Sequence, residues 1–260
     1  MAGVRVDNVS KSFFDFKTHA ELKIIDNVSF DVKDKEFVSI LGVSGCGKST
    51  LLYMIGGHER PTHGTISFSD VKDSKAHLTN TVFQEASLFP WRKVIDNVIF
   101  GPEITGGNKK ELRTKAMEFI NLVGLSGFES AYPSHLSGGM KQRVAIARAL
   151  MNNPEVLLMD EPFASVDAQT RMIMQEQLLR IHQKSEKTTL FVTHNIDEAI
   201  FLADRLMILS ARPAKVKEII EVNIGKPRTW DLRSSKEFVD IYGRVLKSLR
   251  EELERAGLFH

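Results

Sequence analysis

A glycine-rich segment between an apolar run and a helical run restricts what this chain can fold into more than any other feature. The apolar run Phe37–Leu41 is typical of a strand buried on both faces, and Leu51, Leu52 and Ile55 have helical spacing. A strand, a tight loop and a helix in that order predict an α/β fold with an anion site where the helix begins. The segment fits the spacing G-x-x-x-x-G-K-[ST] and consists of Gly42, Val43, Ser44, Gly45, Cys46, Gly47, Lys48, Ser49 and Thr50.

The residue types in this phosphate loop, residues 42–50, are those that hold the phosphates of a nucleotide. Glycines let successive backbone N–H groups turn toward phosphate oxygens, and the following helix adds its positive end. Lys48 supplies a point charge for the β- and γ-phosphates, and the Ser49 hydroxyl is suited to Mg²⁺. A chance glycine-rich turn is the alternative, but the flanking strand and helix argue against it. The loop alone predicts ATP or GTP binding with hydrolysis.

Length and charge exclude several classes of protein. The 260 residues suffice for one large α/β domain, or for a core with a smaller lobe. The 35 basic and 33 acidic residues leave a formal net charge of +2, so we expect no nucleic-acid partner. One cysteine, Cys46, offers no internal disulfide, and no run reaches the roughly 18 apolar residues of a membrane span. These features predict a cytoplasmic chain that acts at a membrane only through a partner.

Hydrophobic patterning predicts a sheet, an antiparallel layer and a helical insertion. Residues 4–13 and 28–32 have one apolar face each and predict the antiparallel layer. The pattern from about residue 97 to 151 is helical without a strand. Other short runs alternate with helices, which favours a parallel sheet covered on both faces; the predicted strands are 64–68, 81–84, 156–159, 190–193 and 206–209, and the helices 171–183 and 196–203.

The tail of the chain predicts one amphipathic helix over residues 234–256. Its apolar residues recur at spacings of three and four, with lysine, arginine and glutamate between them. The helix either packs on the core of its own chain or contributes a dimer or regulatory contact. The apolar positions are Phe238, Ile241, Val245, Leu249 and Leu253.

Two adjacent acids, Asp160 and Glu161, follow the apolar run of residues 156–159. The carboxyl ends of strands are where α/β sheets bind ligands. In a phosphate-loop ATPase, Asp160 is suited to the Mg²⁺ site and Glu161 to polarising the attacking water. The alternative is that the two acids only cap the next helix.

A second glycine-rich segment resembles the LSGGQ signature motif of ABC-transporter ATPases. It consists of Leu136, Ser137, Gly138, Gly139 and Met140. Four further motifs of that family occur in the family's order, and the resemblance covers about residues 4–223. Phe13 resembles the aromatic residue that stacks on adenine, Gln84 after residues 81–83 the Q-loop glutamine, Asp167 the D-loop aspartate, and His194 the switch histidine. The D-loop departs from the common Gly-Ala-Leu-Asp, since Ala164, Ser165 and Val166 precede Asp167.

The resemblance implies a phosphate-loop NTPase of the ABC type, with a RecA-like parallel-sheet core, a small antiparallel β subdomain and an inserted helical subdomain. It implies an ATPase domain over residues 1–225, the helical subdomain at about 92–152, and a C-terminal helical extension over 226–260. ATP and Mg²⁺ are the implied ligands. Glu161, His194, Gln84 and Lys48 would be catalytic, and Ser49, Gln84 and Asp160 would hold the metal. Nucleotide would contact Phe13, residues 42–50, and, in a head-to-tail dimer, the partner's copy of residues 137–140 and Asp167.

Within the family, the chain is most similar to ATPases of nitrate, sulfonate and taurine importers. The similarity lies in residues 83–91, 160–163 and 193–199, and in Met140. It implies a subunit on the cytoplasmic face of the inner membrane that energises uptake through a permease docking near residues 84–91. A solute-binding protein would take part indirectly.

Two other functions are alternatives to an importer ATPase. A soluble ABC-type ATPase of DNA repair or translation would usually carry coiled-coil insertions, zinc cysteines or a second ATPase unit, and this sequence has none of them. A catalytically inactive nucleotide sensor conflicts with the presence of Lys48, Glu161 and His194.

Overall fold

The computed structural model describes residues 2–15, 19–69, 78–164 and 166–257. Residues 69–77 are mostly polar in sequence and predict a surface loop; most of them, and Ser165 of the D-loop, lie outside these ranges. The strands are β1 Val4–Asp15, β2 Ala20–Val32, β3 Phe37–Leu41, β4 His63–Phe68, β5 Thr79–Val82, β6 Val156–Asp160, β7 Thr188–Val192, β8 Arg205–Leu209 and β9 Val216–Glu221. The helices are α1 Lys48–Ile55, α2 Val94–Val98, α3 Phe100–Ile104, α4 Lys109–Leu122, α5 Gly138–Met151, α6 Ala168–Ser185, α7 Ile196–Leu202 and α8 Lys236–Arg255.

The chain divides into two compact units. The first comprises residues 1–72 and 188–260, and the second comprises residues 73–187. The predicted helical stretch therefore falls in the second unit, which holds α2 to α5. Among the described residues, no helix combines the length and apolar character that crossing a bilayer requires.

The first unit is built on two sets of strands. β1 lies between β2 and β4 in an antiparallel sheet, as the early alternating segments predicted. β3 pairs in parallel with β7 and β8, and β9 adds to β8 in antiparallel direction. Every residue of β3 is buried, and the Phe37 and Phe191 rings lie 5.8 Å apart in the core. Since burying such a side chain is worth about 1.5–3 kcal/mol, the strand before the phosphate loop is held firmly.

The second unit combines helices with two parallel strands. β5 pairs with β6 in parallel, and α5 packs on β5, α2 and α4. The two units together confirm the α/β class, the antiparallel layer and the helical stretch without strands.

Three local predictions were wrong. The strand predicted at 81–84 is Thr79–Val82, so Gln84 lies two residues beyond the strand instead of at its end. β9 was missed, and β2 starts at Ala20, eight residues before the predicted strand. Half of the residues in each missed stretch are polar, and both stretches form strands by hydrogen bonding to β8 and β1, which local apolar patterning does not record.

Candidate functional site

At two positions, the phosphate loop takes a left-handed backbone conformation that favours glycine. The N–H of Cys46 donates to the carbonyl of Val43 at 3.3 Å and closes a turn. Gly45, third in this turn, has φ 73°, and Gly47, just before α1, has φ 119°. A Cβ on Gly47 would also meet the Ile24 side chain at 2.9 Å. The predicted glycines are therefore required by the backbone path.

Lys48 is buried inside this loop. Its side-chain nitrogen donates to the carbonyls of Gly42 and Val43, at 2.9 Å and 3.2 Å. The residue is only 6% exposed, so these bonds offset the cost of removing the ammonium from water. Phosphate oxygens would compete for an ammonium that the fold already holds at the loop.

The other side chains of the loop differ in accessibility. Ser44 is exposed, whereas Ser49 and Thr50 are half-buried in the first turn of α1. Cys46 is 1% exposed, and burial raises the pKa of its thiol. A Cβ on Gly42 would stand 2.7 Å from the Cys46 sulfur, so the thiol fills the space that this glycine leaves.

Phe13 belongs to the first unit and presents its ring at the surface. It lies in β1 opposite Leu22 of β2, and it is 40% exposed. The Lys11 ammonium is 4.6 Å from the ring centroid. An accessible aromatic face can stack on a nucleobase, whereas a phenylalanine buried in the core could not.

His194 follows β7 on a loop that is held by hydrogen bonds. The Thr193 hydroxyl accepts the N–H of Asn195 at 3.0 Å and donates to the Glu198 carboxylate. The Asn195 side chain in turn accepts the N–H of Glu198 at 3.0 Å and begins α7. His194 itself is exposed between these anchored neighbours.

The signature motif lies in the second unit at the start of α5. Ser137 caps the helix, because its hydroxyl accepts the N–H of Met140 at 3.3 Å. Ser137 and Gly138 are exposed, Gly139 is buried and Met140 is half-buried. A Cβ on Gly139 would meet Thr170 at 3.3 Å, so α5 packs closely against the start of α6. The motif thus offers a hydroxyl and a helix N-terminus at the surface.

The two acids after β6 have different environments. Asp160 ends the strand and is 3% exposed, whereas Glu161 is half-buried. Glu161 has φ 44°, the left-handed region that a glutamate rarely adopts. Strained backbone of this kind clusters at functional sites, where the surrounding structure holds it. Neither acid caps the next helix, because α6 is capped by Asp167.

Asp167 has a structural role in addition to the one its position implies. Its carboxylate accepts the N–H of Thr170 at 3.0 Å, and this backbone bond holds the pKa of the carboxyl below its ordinary value. A D-loop aspartate that caps its own helix is fixed in direction.

Gln84 is exposed on a segment that α5 holds in place, and sequence reasoning missed the residues that hold it. Gln142, buried in α5, donates to the carbonyl of Phe83 at 3.0 Å. Arg148, one and a half turns later, donates to the carbonyls of Ala86 and Ser87, each at 2.9 Å. A polar residue on an otherwise apolar helix face was the only signal for Gln142 in the sequence.

Asn97 organises the next part of this segment. It is fully buried, accepts the N–H of Phe89 at 2.8 Å, and donates to the carbonyls of Phe89, Arg92 and Lys93. Phe89 packs on Phe100, with ring centroids 4.2 Å apart. Trp91 is instead 72% exposed, so the fold presents a large apolar side chain to solvent.

These features define an α/β protein with a phosphate loop and an exposed helix N-terminus at a second glycine-rich segment. The sequence model of the ABC transporter family matches residues 25–164. An uncharacterized ABC transporter ATP-binding protein from Methanocaldococcus jannaschii is 47% identical over 252 residues, covering 96% of this chain and 92% of the relative. The aliphatic sulfonates import ATP-binding protein SsuB of Bacillus cereus is 41% identical over 256 residues, 98% of this chain and 97% of the relative.

A solved structure agrees with the sequence comparisons. A dimeric ATP-binding cassette, in a post-hydrolysis state with ADP and Pi, is 30% identical with a TM-score of 0.74. The match covers 85% of this chain and 99% of that chain. The chain therefore belongs to the ABC transporter family, and it is an ATP-binding subunit of the ATPase type.

Proposed function

We propose that this chain is the ATP-hydrolysing subunit of an importer and drives uptake of a small solute through a separate membrane permease. The observation that carries the proposal is the likeness, over 98% of the chain, to a protein named as an aliphatic sulfonates import ATP-binding protein. Sulfonates, taurine, nitrate and bicarbonate are the solute candidates. The solute itself would contact a solute-binding protein and the permease, not this subunit.

The groups that would hold ATP are those described above. Phe13 would stack on adenine, residues 42–50 would surround the phosphates, and Lys48 would contact the β- and γ-phosphates. The Mg²⁺ ion would be held by the hydroxyl of Ser49, the amide oxygen of Gln84 and the carboxylate of Asp160. These oxygens are the donor type that Mg²⁺ prefers, and Asp160 is buried, where a carboxylate gains most from a cation. Such an ion supplies positive charge against the phosphates.

Hydrolysis would then depend on two further side chains. Glu161 would polarise a water and accept its proton while the water oxygen bonds to the γ-phosphorus. The bond from that phosphorus to the bridging oxygen breaks, giving ADP and phosphate. His194 would hydrogen-bond a γ-phosphate oxygen and help to place it for attack. The left-handed backbone of Glu161 and the anchored loop around His194 support these roles, since both restrict where the side chains can go.

The active assembly would be a head-to-tail dimer. Ser137, Gly138, Gly139 and Met140 would close over ATP held by the phosphate loop of a second ATPase subunit, and Asp167 would lie at that interface. The exposed hydroxyl of Ser137 at a helix N-terminus supports this, because it suits an anion and the phosphate loop already provides such a site in the same chain.

The permease would dock near residues 84–91, with Trp91 as an apolar anchor. The subunit would be peripheral, on the cytoplasmic face of the inner membrane, with no nucleic-acid partner. The subdomain limits at about 92–152, and the ATPase domain and extension at 1–225 and 226–260, remain predictions.

Uptake by proteoliposomes tests the proposal. The chain is purified with its permease, reconstituted with ATP enclosed on the ATPase side, and supplied with the solute-binding protein and each labelled candidate solute. We expect ATP-dependent uptake of one solute class, abolished by Glu161→Gln. Hydrolysis that is indifferent to the permease, with no uptake of any candidate, would contradict the proposal and favour a soluble ATPase.

A further inference from the structure

The C-terminal helix α8 reaches the phosphate loop within the first unit. A cleft of about 510 Å³ is lined by residues 43–46 of the loop, by residues 210–212 after β8, and by Glu252, Arg255 and Ala256 at the end of α8. The loop, the turn after β8 and the helix end therefore line one cleft.

Glu252 joins the helix to the turn. It is 1% exposed, and its carboxylate accepts the backbone N–H of Ala211 at 2.9 Å. The ammonium of Lys217 in β9 lies 2.9 Å from the same carboxylate, and the guanidinium of Arg255 lies 3.0 Å away. A buried carboxylate is tolerated when it is paired and hydrogen-bonded in this way.

Neighbouring donors stabilise the negative charge of this carboxylate. Burial acts to raise the pKa of Glu252, but the side-chain bond from Lys217 and the backbone bond from Ala211 outweigh it and hold the pKa below its ordinary value. Glu252 is thus an anion at neutral pH and a strong acceptor for the Ala211 N–H.

Arg212 joins the turn to the phosphate loop. Its guanidinium donates to the carbonyl of Gly45 at 2.6 Å, a bond between residues 167 positions apart in the sequence. Gly45 is the left-handed residue of the Val43–Cys46 turn, so this bond holds the loop where its backbone is most free to rotate.

We propose that Glu252 and Arg212 are positioning residues for ATP binding. Glu252 of α8 would hold the turn after β8 in place, and Arg212 of that turn would hold the phosphate loop in place. Fixing the Gly45 carbonyl toward Arg212 fixes the peptide plane that also carries the Cys46 N–H. A loop that is ordered before ATP arrives loses less conformational entropy on binding. The proposal rests on the assignment of residues 42–50 to the phosphates and adds a control over that site from the C-terminal helix.

Paired measurements of affinity and turnover test the connection. Arg212→Ala should raise the Kd for a fluorescent ATP analogue about tenfold, the lower end of the scale for losing one hydrogen bond to a charged group, while kcat at saturating ATP changes less than about twofold. Glu252→Ala should raise the Kd in the same direction. Glu252→Gln keeps an acceptor oxygen for Ala211 and should recover most of the affinity. Glu254→Ala is the matched control, since Glu254 is exposed two residues further along the helix and pairs with Arg250.

The double variant separates a connection from two unrelated losses. If Glu252 acts through Arg212, the Kd of the Arg212→Ala, Glu252→Ala protein should match that of Arg212→Ala alone. Multiplied effects would overturn the proposal. A wild-type Kd in Arg212→Ala would also overturn it, as would a loss of affinity no greater than in the Glu254→Ala control.

Lys48→Ala distinguishes failure of this inference from failure of the phosphate-loop assignment. If Lys48→Ala abolishes binding but Arg212→Ala binds normally, the assignment stands and the connection is wrong. If Lys48→Ala binds ATP normally, the assignment itself fails, and the connection fails with it.

Discussion

The phosphate loop and the signature motif are both glycine-rich turns that lead into a helix, yet the fold treats them differently. The phosphate loop follows a fully buried strand and encloses Lys48, which is 6% exposed and bonded to the loop's own carbonyls. The signature motif leaves Ser137 and Gly138 at the surface and buries Gly139 against α6. One turn is organised around a charge from its own chain, and the other presents donors to solvent. Under the proposed function, the phosphate loop would be a nucleotide site that is largely formed in advance, and the signature motif would be a surface for the second ATPase subunit.

The largest expected effect is on ATP hydrolysis, and it comes from Glu161, which belongs to neither of the two glycine-rich turns. Glu161→Gln keeps the size of the side chain but removes the group that would accept the proton, so kcat should fall by about 10³. ATP affinity should stay within about twofold, because the phosphate loop is intact. Phosphate release measures kcat, and binding of a fluorescent ATP analogue measures the affinity. Turnover near the wild-type rate would remove Glu161 from its proposed role.

A negative charge on the signature motif tests the comparison most directly. Gly138→Asp places an acid in the first turn of α5, where it favours the helix but repels phosphate. We expect ATP hydrolysis to fall about 100-fold and ATP-dependent dimers to disappear in gel filtration, with ATP affinity of the single subunit unchanged.

Ser134→Asp is the control for this variant, since it adds the same charge at an exposed position two residues before the motif. If Gly138→Asp instead weakens ATP binding by the isolated subunit, the two turns act on the same nucleotide within one chain and the comparison breaks.

Replacing Trp91 should weaken assembly with the permease more than replacing a residue of the phosphate loop or of the signature motif. Trp91→Ala should weaken binding of the purified permease about tenfold to thirtyfold, the scale of an exposed aromatic anchor, and leave ATP affinity unchanged. Ile104→Ala removes another exposed apolar side chain of the second unit, 66% exposed, and should have little effect. Equal permease affinity with and without Trp91, measured by microscale thermophoresis, would remove this residue from the docking surface.

The smallest effect concerns the thiol inside the phosphate loop. Because Cys46 is 1% exposed and burial raises its pKa, less thiolate is present at neutral pH than for a free thiol, and alkylation should be slow. The rate should reach half its maximum at a higher pH than in the denatured chain, and ATP should slow it further. Once labelled, the protein should lose ATP binding. Fast labelling that ATP does not slow would show that the loop is more open than the buried thiol indicates.

Much of the fold was predictable because the spacing of apolar residues along the sequence encodes it. The buried run Phe37–Leu41 and the helical stretch without strands were recognised from residue spacing alone. β9 and the first half of β2 were not, because these sequences, in which half of the residues are polar, become strands only by pairing with neighbours. The exposure of Phe13, which stacking on a nucleobase requires, is visible only in the structure.

The sequence by itself determined which chemical groups the phosphate loop contains. Gly45, Gly47 and Lys48 must stand at fixed spacing because a phosphate-binding turn needs positive φ angles and a charge within a few residues. Only the tertiary structure decided what holds those groups in place. Asn97 organises the segment that presents Trp91, Arg148 holds the Gln84 segment across more than 60 residues, and Arg212 reaches Gly45 across 167. Local chemistry is encoded by neighbours in sequence, whereas a buried polar side chain finds its partners only after the chain has folded.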